Sequence, residues 1–124
     1  MIEALFYNYM REMLRQTPME FHRYLYDEIN WDNRLIGILG PRGVGKSTLI
    51  LQHIKALDAP RTHIFITAES LWFSEHTLLE FADSFSAMGG EYLYIDEIHK
   101  YKGWSRELKL IHDMHPALHV VFTG

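Results

Sequence analysis

Residues 40–48 read Gly40-Pro41-Arg42-Gly43-Val44-Gly45-Lys46-Ser47-Thr48 and contain the whole of the pattern G-x-x-x-x-G-K-S/T. Its chemistry is phosphate binding. Gly40, Gly43 and Gly45 let backbone wrap an oxyanion in conformations that side chains obstruct. Lys46 supplies a point charge for the β- and γ-phosphates of a nucleoside triphosphate, and the Ser47 hydroxyl suits Mg²⁺. Pro41, Arg42, Val44 and Thr48 complete the stretch that would surround the phosphates. Arg42 reads better as an exposed loop side chain than as a phosphate ligand.

A second group of residues fits the first. Tyr92-Leu93-Tyr94-Ile95-Asp96-Glu97 reads as an apolar strand ending in two carboxylates, with Asp96 fifty residues after Lys46. Mg²⁺ takes hard oxygen ligands and keeps several waters, so Asp96 could hold it through its water shell. Attack on a γ-phosphate needs an oriented water that loses a proton, a task for Glu97. If Leu93 and Ile95 are buried, Asp96 emerges at the strand's carboxyl end, where open α/β sheets bind ligands. Val120-Val121-Phe122-Thr123-Gly124 is a third piece, an apolar strand that brings the Thr123 hydroxyl to the same edge. Taken alone, a strand ending in Thr-Gly predicts only a turn.

Elements of two kinds must position these residues. Leu35–Leu39 reads as a buried strand, and Leu49, Ile50, His53, Ile54 and Leu57 follow it at helical spacing. Strands over His63–Thr67, Tyr92–Ile95 and His119–Phe122 alternate with helices over Ser47–Leu57, Thr77–Met88 and Trp104–Asp113. That alternation predicts an α/β fold with a parallel sheet and crossover helices over residues 34–124. Residues 1–33 read as a helical segment. Ile2, Leu5, Phe6, Tyr9, Met10, Met13 and Leu14 form one apolar stripe. Thr17-Pro18-Met19-Glu20 reads as an N-cap and capping box for a second helix carrying Phe21, Tyr24, Leu25 and Ile29. Asn30–Asn33, Ala59–Arg61 and Met88–Gly90 read as turns, and Glu69–His76 as a loop.

Composition narrows the classes. A chain of 124 residues, 48% hydrophobic and 14% aromatic, is one domain with a real core. The net charge of −4 argues against a dedicated nucleic-acid binder. The absence of cysteine removes disulfides and thiolate metal sites and suits a cytoplasmic setting. No apolar run approaches the ~18 residues that span a bilayer. Eight histidines are present, but without an H-E-x-x-H pattern, and Pro116 ends the helix that would bear His112 and His115.

The loop GPRGVGKSTL, the segment LYIDEIHKYKGW and the strand running into Thr-Gly together resemble a prokaryotic AAA-type P-loop ATPase over about residues 18–124. The resemblance implies a three-layer core that binds ATP with Mg²⁺. It implies phosphate contacts from Lys46, metal ligation by Ser47 and Asp96, a base at Glu97, a sensor at Thr123 and a packing role for Trp104. Such cores continue with a fifth strand beside Leu35–Leu39, a lid and an arginine. The chain is therefore expected to be a piece with about four strands. It should bind nucleotide, turn it over slowly, and expose a sheet edge prone to self-association. Two rival readings are a nucleotide-gated interaction module and a DExH helicase fragment, the latter suggested by Asp96-Glu97-Ile98-His99. The short interval between motifs, Phe-Thr-Gly in place of Ser-Ala-Thr, and the acidic balance weigh against the helicase. Arg106 reads as a solvated helix residue rather than a trans-acting arginine.

Overall fold

A computed structural model describes residues 2–19, 28–40, 45–58 and 61–124. Helix α1 spans Ile2–Arg15. Strand β1 (Leu35–Ile38) leads to helix α2 (Lys46–Ala56), β2 (His63–Thr67) to α3 (Leu78–Ala87), and β3 (Tyr92–Asp96) to α4 (Trp104–Met114) and β4 (His119–Thr123). The four strands form one parallel sheet in the order β1-β4-β3-β2. Parallel neighbours require crossovers, and α2, α3 and α4 supply them.

Strand alternation sorts the core into two layers around the sheet. Ile64, Ile66, Leu93, Ile95 and Val120 pack with Leu78, Phe81, Phe85, Leu108 and Ile111 of α3 and α4. Phe65, Tyr94 and Val121 face the other way, against Leu49, Ile50 and Ile54 of α2 and Met10 and Leu14 of α1. Both faces of the inner strands are covered, so their sequences are continuous apolar runs. Helix α1 also finishes one edge of the sheet. The Phe65 N–H of β2 donates to Met10 Sδ at 3.3 Å, Tyr7 Oη donates to the Arg61 carbonyl at 2.6 Å, and Phe6 packs edge-on to Phe81 at 4.7 Å. No helix among the described residues is long and apolar enough to cross a membrane.

Several expectations need correction. Strand β1 is only partly buried, because it is an edge of the sheet: Ile38 is in the core, but Leu35 is 41% exposed, and Leu39, just past the strand, 64%. The segment Glu69–His76 is not simply a loop. It holds a 3₁₀ turn at Leu71–Ser74, started by Ser70 Oγ accepting from the Trp72 N–H. Trp72 packs edge-on to Phe6 at 5.7 Å, a partner distant in sequence that no local pattern could reveal. The Thr17 hydroxyl donates to the Met13 carbonyl at 2.7 Å and so closes α1. The second N-terminal helix, with Glu20, Phe21, Tyr24 and Leu25, lies outside the described residues, as do Ala59 and Pro60. A capping box does occur, at Thr77 and Glu80 of α3. The turns at Asn30–Asn33 and Met88–Gly90 are present, with Asp32 N–H donating to Asn30 Oδ1 and Gly89 at φ +91°.

Candidate nucleotide site at the carboxyl end of the sheet

β1, β3 and β4 all end at one edge, and their register brings Ile38 beside Thr123 and Ile95 beside Phe122. The residues that follow these strands are Leu39-Gly40, Glu97 and Gly124. Helix α2 starts on Gly45, which adopts φ +78° and ψ 29°, a left-handed conformation that glycine takes without a steric penalty. No side chain caps α2. Its first-turn N–H groups and positive dipole end are thus left for an anion.

Two sets of hydrogen bonds tie the motifs together. Ser47 Oγ donates to Asp96 Oδ1 at 2.7 Å, and Thr123 Oγ1 donates to the same oxygen at 2.6 Å. Lys46 Nζ donates to the carbonyls of Gly40 at 2.5 Å and Gly124 at 2.9 Å. Asp96 is buried, as is Thr123. Glu97 follows in a left-handed conformation, φ +57°, and its N–H donates to Thr123 Oγ1 at 3.1 Å. Gly40, Gly45, Lys46, Ser47, Thr48, Glu97, His99 and Gly124 surround a cleft of about 450 Å³. Pro41, Arg42, Gly43 and Val44 lie outside the described residues. The negative charge here is felt on the next layer: the Tyr9 phenol of α1 is pushed up, first by burial and then by the charges of Asp96 and Glu69.

Lys46, Ser47, Asp96, Glu97 and Thr123, which come from three separated stretches of sequence, meet at this edge. Two further groups belong with them. His99 lines the cleft with Nε2 3.7 Å from Glu97 Oε2. Its presence two residues past Glu97 was visible in sequence, but its return to the cleft depends on the 3₁₀ turn Ile98–Lys100. The Gly124 carbonyl accepts from Lys46 and from the Gly40 N–H at 3.4 Å. A backbone acceptor leaves no trace in residue type. Arg106 is exposed, and Trp104 packs on Phe122 at 5.7 Å. His112 and His115 lie near different partners: a His112 ring nitrogen is 3.5 Å from Arg34 Nη1, and His115 Nε2 is 2.6 Å from Asp83 Oδ1. A larger hollow of about 580 Å³, between Ala68–Thr77 and Lys100–Lys102, holds none of the predicted site residues.

No curated protein sequence matches the chain. A solved structure of C. elegans PCH-2 superposes with a TM-score of 0.52 at 20% identity, covering 94% of this chain and 35% of that one. The chain thus spans about a third of that protein's length, and the likeness is one of fold. A family model described as an AAA domain matches residues 32–124, from the turn before β1 through the end of β4. With most of its length inside that match, the chain belongs to the AAA domain family, a family of nucleotide-binding, ATPase-type domains.

Proposed function

We propose that this domain binds ATP with Mg²⁺ and hydrolyses it. The observation that carries the reading is the Ser47–Asp96 bond at 2.7 Å, which joins the phosphate loop to the paired carboxylates. Those two groups are hard oxygen donors side by side, a set that suits Mg²⁺ held largely through water. When bound, the ion would neutralise charge on the phosphates. Lys46 would leave its two carbonyl partners for the β- and γ-phosphates, and residues 40–48 would surround them. Glu97, turned by its left-handed backbone, would orient a water and take its proton. Thr123 belongs to the same set. ATP rather than GTP is the family's nucleotide, and the lack of cysteine suits a cytoplasmic setting.

A second reading, a nucleotide-gated module with little turnover, has its own support. Among the described residues no arginine lines the cleft. A catalytic arginine is worth about 10³ to 10⁵ in rate, so these residues alone should turn over slowly. The open edge of β1 also supports pairing between copies of the chain.

The test is thermal melting with and without Mg-ATP, together with phosphate release. Ligand at ~100 times its dissociation constant should stabilise the domain by roughly 2.7 kcal/mol. That corresponds to a shift on the order of 10 °C. Lys46→Ala should abolish the shift, whereas Glu97→Gln should keep it and lower any phosphate release. Identical melting of wild type and Lys46→Ala under both conditions would sink the nucleotide reading.

A further inference from the structure

We infer that Thr123 is a positioning residue for Asp96 and Glu97 rather than a contact to the terminal phosphate. The inference rests on the nucleotide-site reading above and concerns how that site is held. A threonine hydroxyl has one hydrogen and two lone pairs. The hydrogen is spent on Asp96 Oδ1 at 2.6 Å, and one lone pair accepts the Glu97 N–H at 3.1 Å. Thr123 is 1% exposed and is not among the residues that line the cleft, although its neighbour Gly124 is. Donation to a phosphate would require the hydroxyl to abandon a buried carboxylate and turn out of a closed position.

Each partner needs the support. Asp96 is a buried carboxylate, and two hydroxyls, from Ser47 and Thr123, meet at its Oδ1. A ligand hydroxyl at Ser47 that turns to a metal ion leaves Thr123 as the donor that still fixes the carboxylate. Partners behind a metal-binding carboxylate of this kind orient it and tune its affinity. Glu97 is a non-glycine residue at φ +57° and ψ 44°, a region that side chains disfavour. Its N–H bond to Thr123 helps hold it there, and that backbone turn aims the Glu97 side chain. Strand pairing fixes the donor itself, since Thr123 is paired to Ile38 in β1 and follows Phe122, which is paired to Ile95 in β3.

The experiment is a Mg²⁺ titration of nucleotide-dependent melting, with ATP and ADP, on wild type, Thr123→Val and Thr123→Ser. Valine keeps the branched shape and loses both hydrogen bonds. The Mg²⁺ concentration giving half the ATP shift should rise by about 10- to 100-fold. In chelator, where the metal is absent, the ratio of ATP to ADP affinity should stay as in wild type. Serine retains the hydroxyl and should restore the wild-type Mg²⁺ midpoint. An unchanged midpoint in Thr123→Val overturns the inference. So does a metal-independent collapse of the ATP preference, which would mean that the hydroxyl touches the γ-phosphate. If the valine variant does not fold, Thr123→Ser decides, because a folded serine variant with a raised midpoint shows that the hydroxyl is not what matters. Absence of any nucleotide shift in wild type overturns the site reading itself, a result distinct from a shift whose Mg²⁺ midpoint ignores Thr123.

Discussion

The two ends of the sheet use polar residues in opposite ways. At the carboxyl end, hydroxyls and an ammonium surround carboxylates and carbonyls, and charge faces a cleft. At the amino end, the first residues of β2, β3 and β4 are His63, Tyr92 and His119, paired across the strands and stacked ring on ring at 4.3 Å and 4.3 Å. His63 Nδ1 meets Tyr94 Oη at 2.8 Å, and Trp31 stacks on His53 of α2 at 3.9 Å. Burial, and then the charge that His63 would carry, hold His53 down to about 4. His63 is lowered by burial too, with Glu91 opposing and His119 adding to the effect. One end therefore packs His53 and His63 as rings whose protonation burial disfavours, while the other lines a cleft with charged groups. The same register of strands packs rings at one end and gathers the cleft's polar groups at the other.

The largest expected break in this contrast comes from Trp31→Ala. Losing a partly buried indole and its stack should cost about 2 to 3 kcal/mol by chemical denaturation, yet leave the Mg-nucleotide melting increment intact. If the increment vanishes with the stability, the two ends are coupled through α2 and the contrast fails.

Acid should give a smaller effect. A group whose folded pKa is depressed contributes stability that is complete above its unfolded pKa, here about 6.5, and lost as pH falls towards the folded value. For His53 the window runs from about 6.5 to about 4. The chain should lose about 2 kcal/mol between pH 7.5 and 4.5, a figure reduced for the partial exposure of the ring. His53→Phe keeps a ring for Trp31 and should flatten that limb of the pH–stability curve. An equally steep limb in His53→Phe would place the acid sensitivity elsewhere. The carboxyl of Glu80, lowered by the Thr77 backbone hydrogen bond first and His76 next, acts below about 4.5 and so stays out of the measured range from pH 7.5 to 4.5.

Thr77→Ala should be the mildest, removing the capping box of α3 for about 1 kcal/mol. Because α3 supplies no residue to the cleft and no ring to the ladder, urea unfolding should shift while Mg²⁺ midpoint and acid limb hold still. Movement of either would mean that the helix layer, not the strand ends, sets those properties.

Much of the carboxyl end was legible because its residue types are forced by chemistry. Glycines beside Lys46, a serine next to it, and paired acids after an apolar strand have few alternative explanations together. The strands and crossover helices were legible from period and punctuation, with ends within a residue or two. The exposure of β1 contradicted its apolar run, since burial of an edge depends on what lies beside it. The amino-terminal ring ladder went unread, because His63, Tyr92 and His119 become neighbours only through strand register. Strand β4 does end with Thr123 beside Ile38, but which atoms its hydroxyl meets is a matter of tenths of an ångström, beyond what spacing can encode.

The thioether of Met10 makes the two flanks of the sheet unlike. It occupies the Phe65 N–H, and α1 lies against β2. Among the described residues, β1 forms the opposite flank, with Leu35 41% exposed. That is also the strand that leads to Gly40 and the glycine-rich stretch before α2. On the proposed reading, a neighbour paired on β1 and a nucleotide bound after it would share the same short ribbon of backbone, so each would bear on the other.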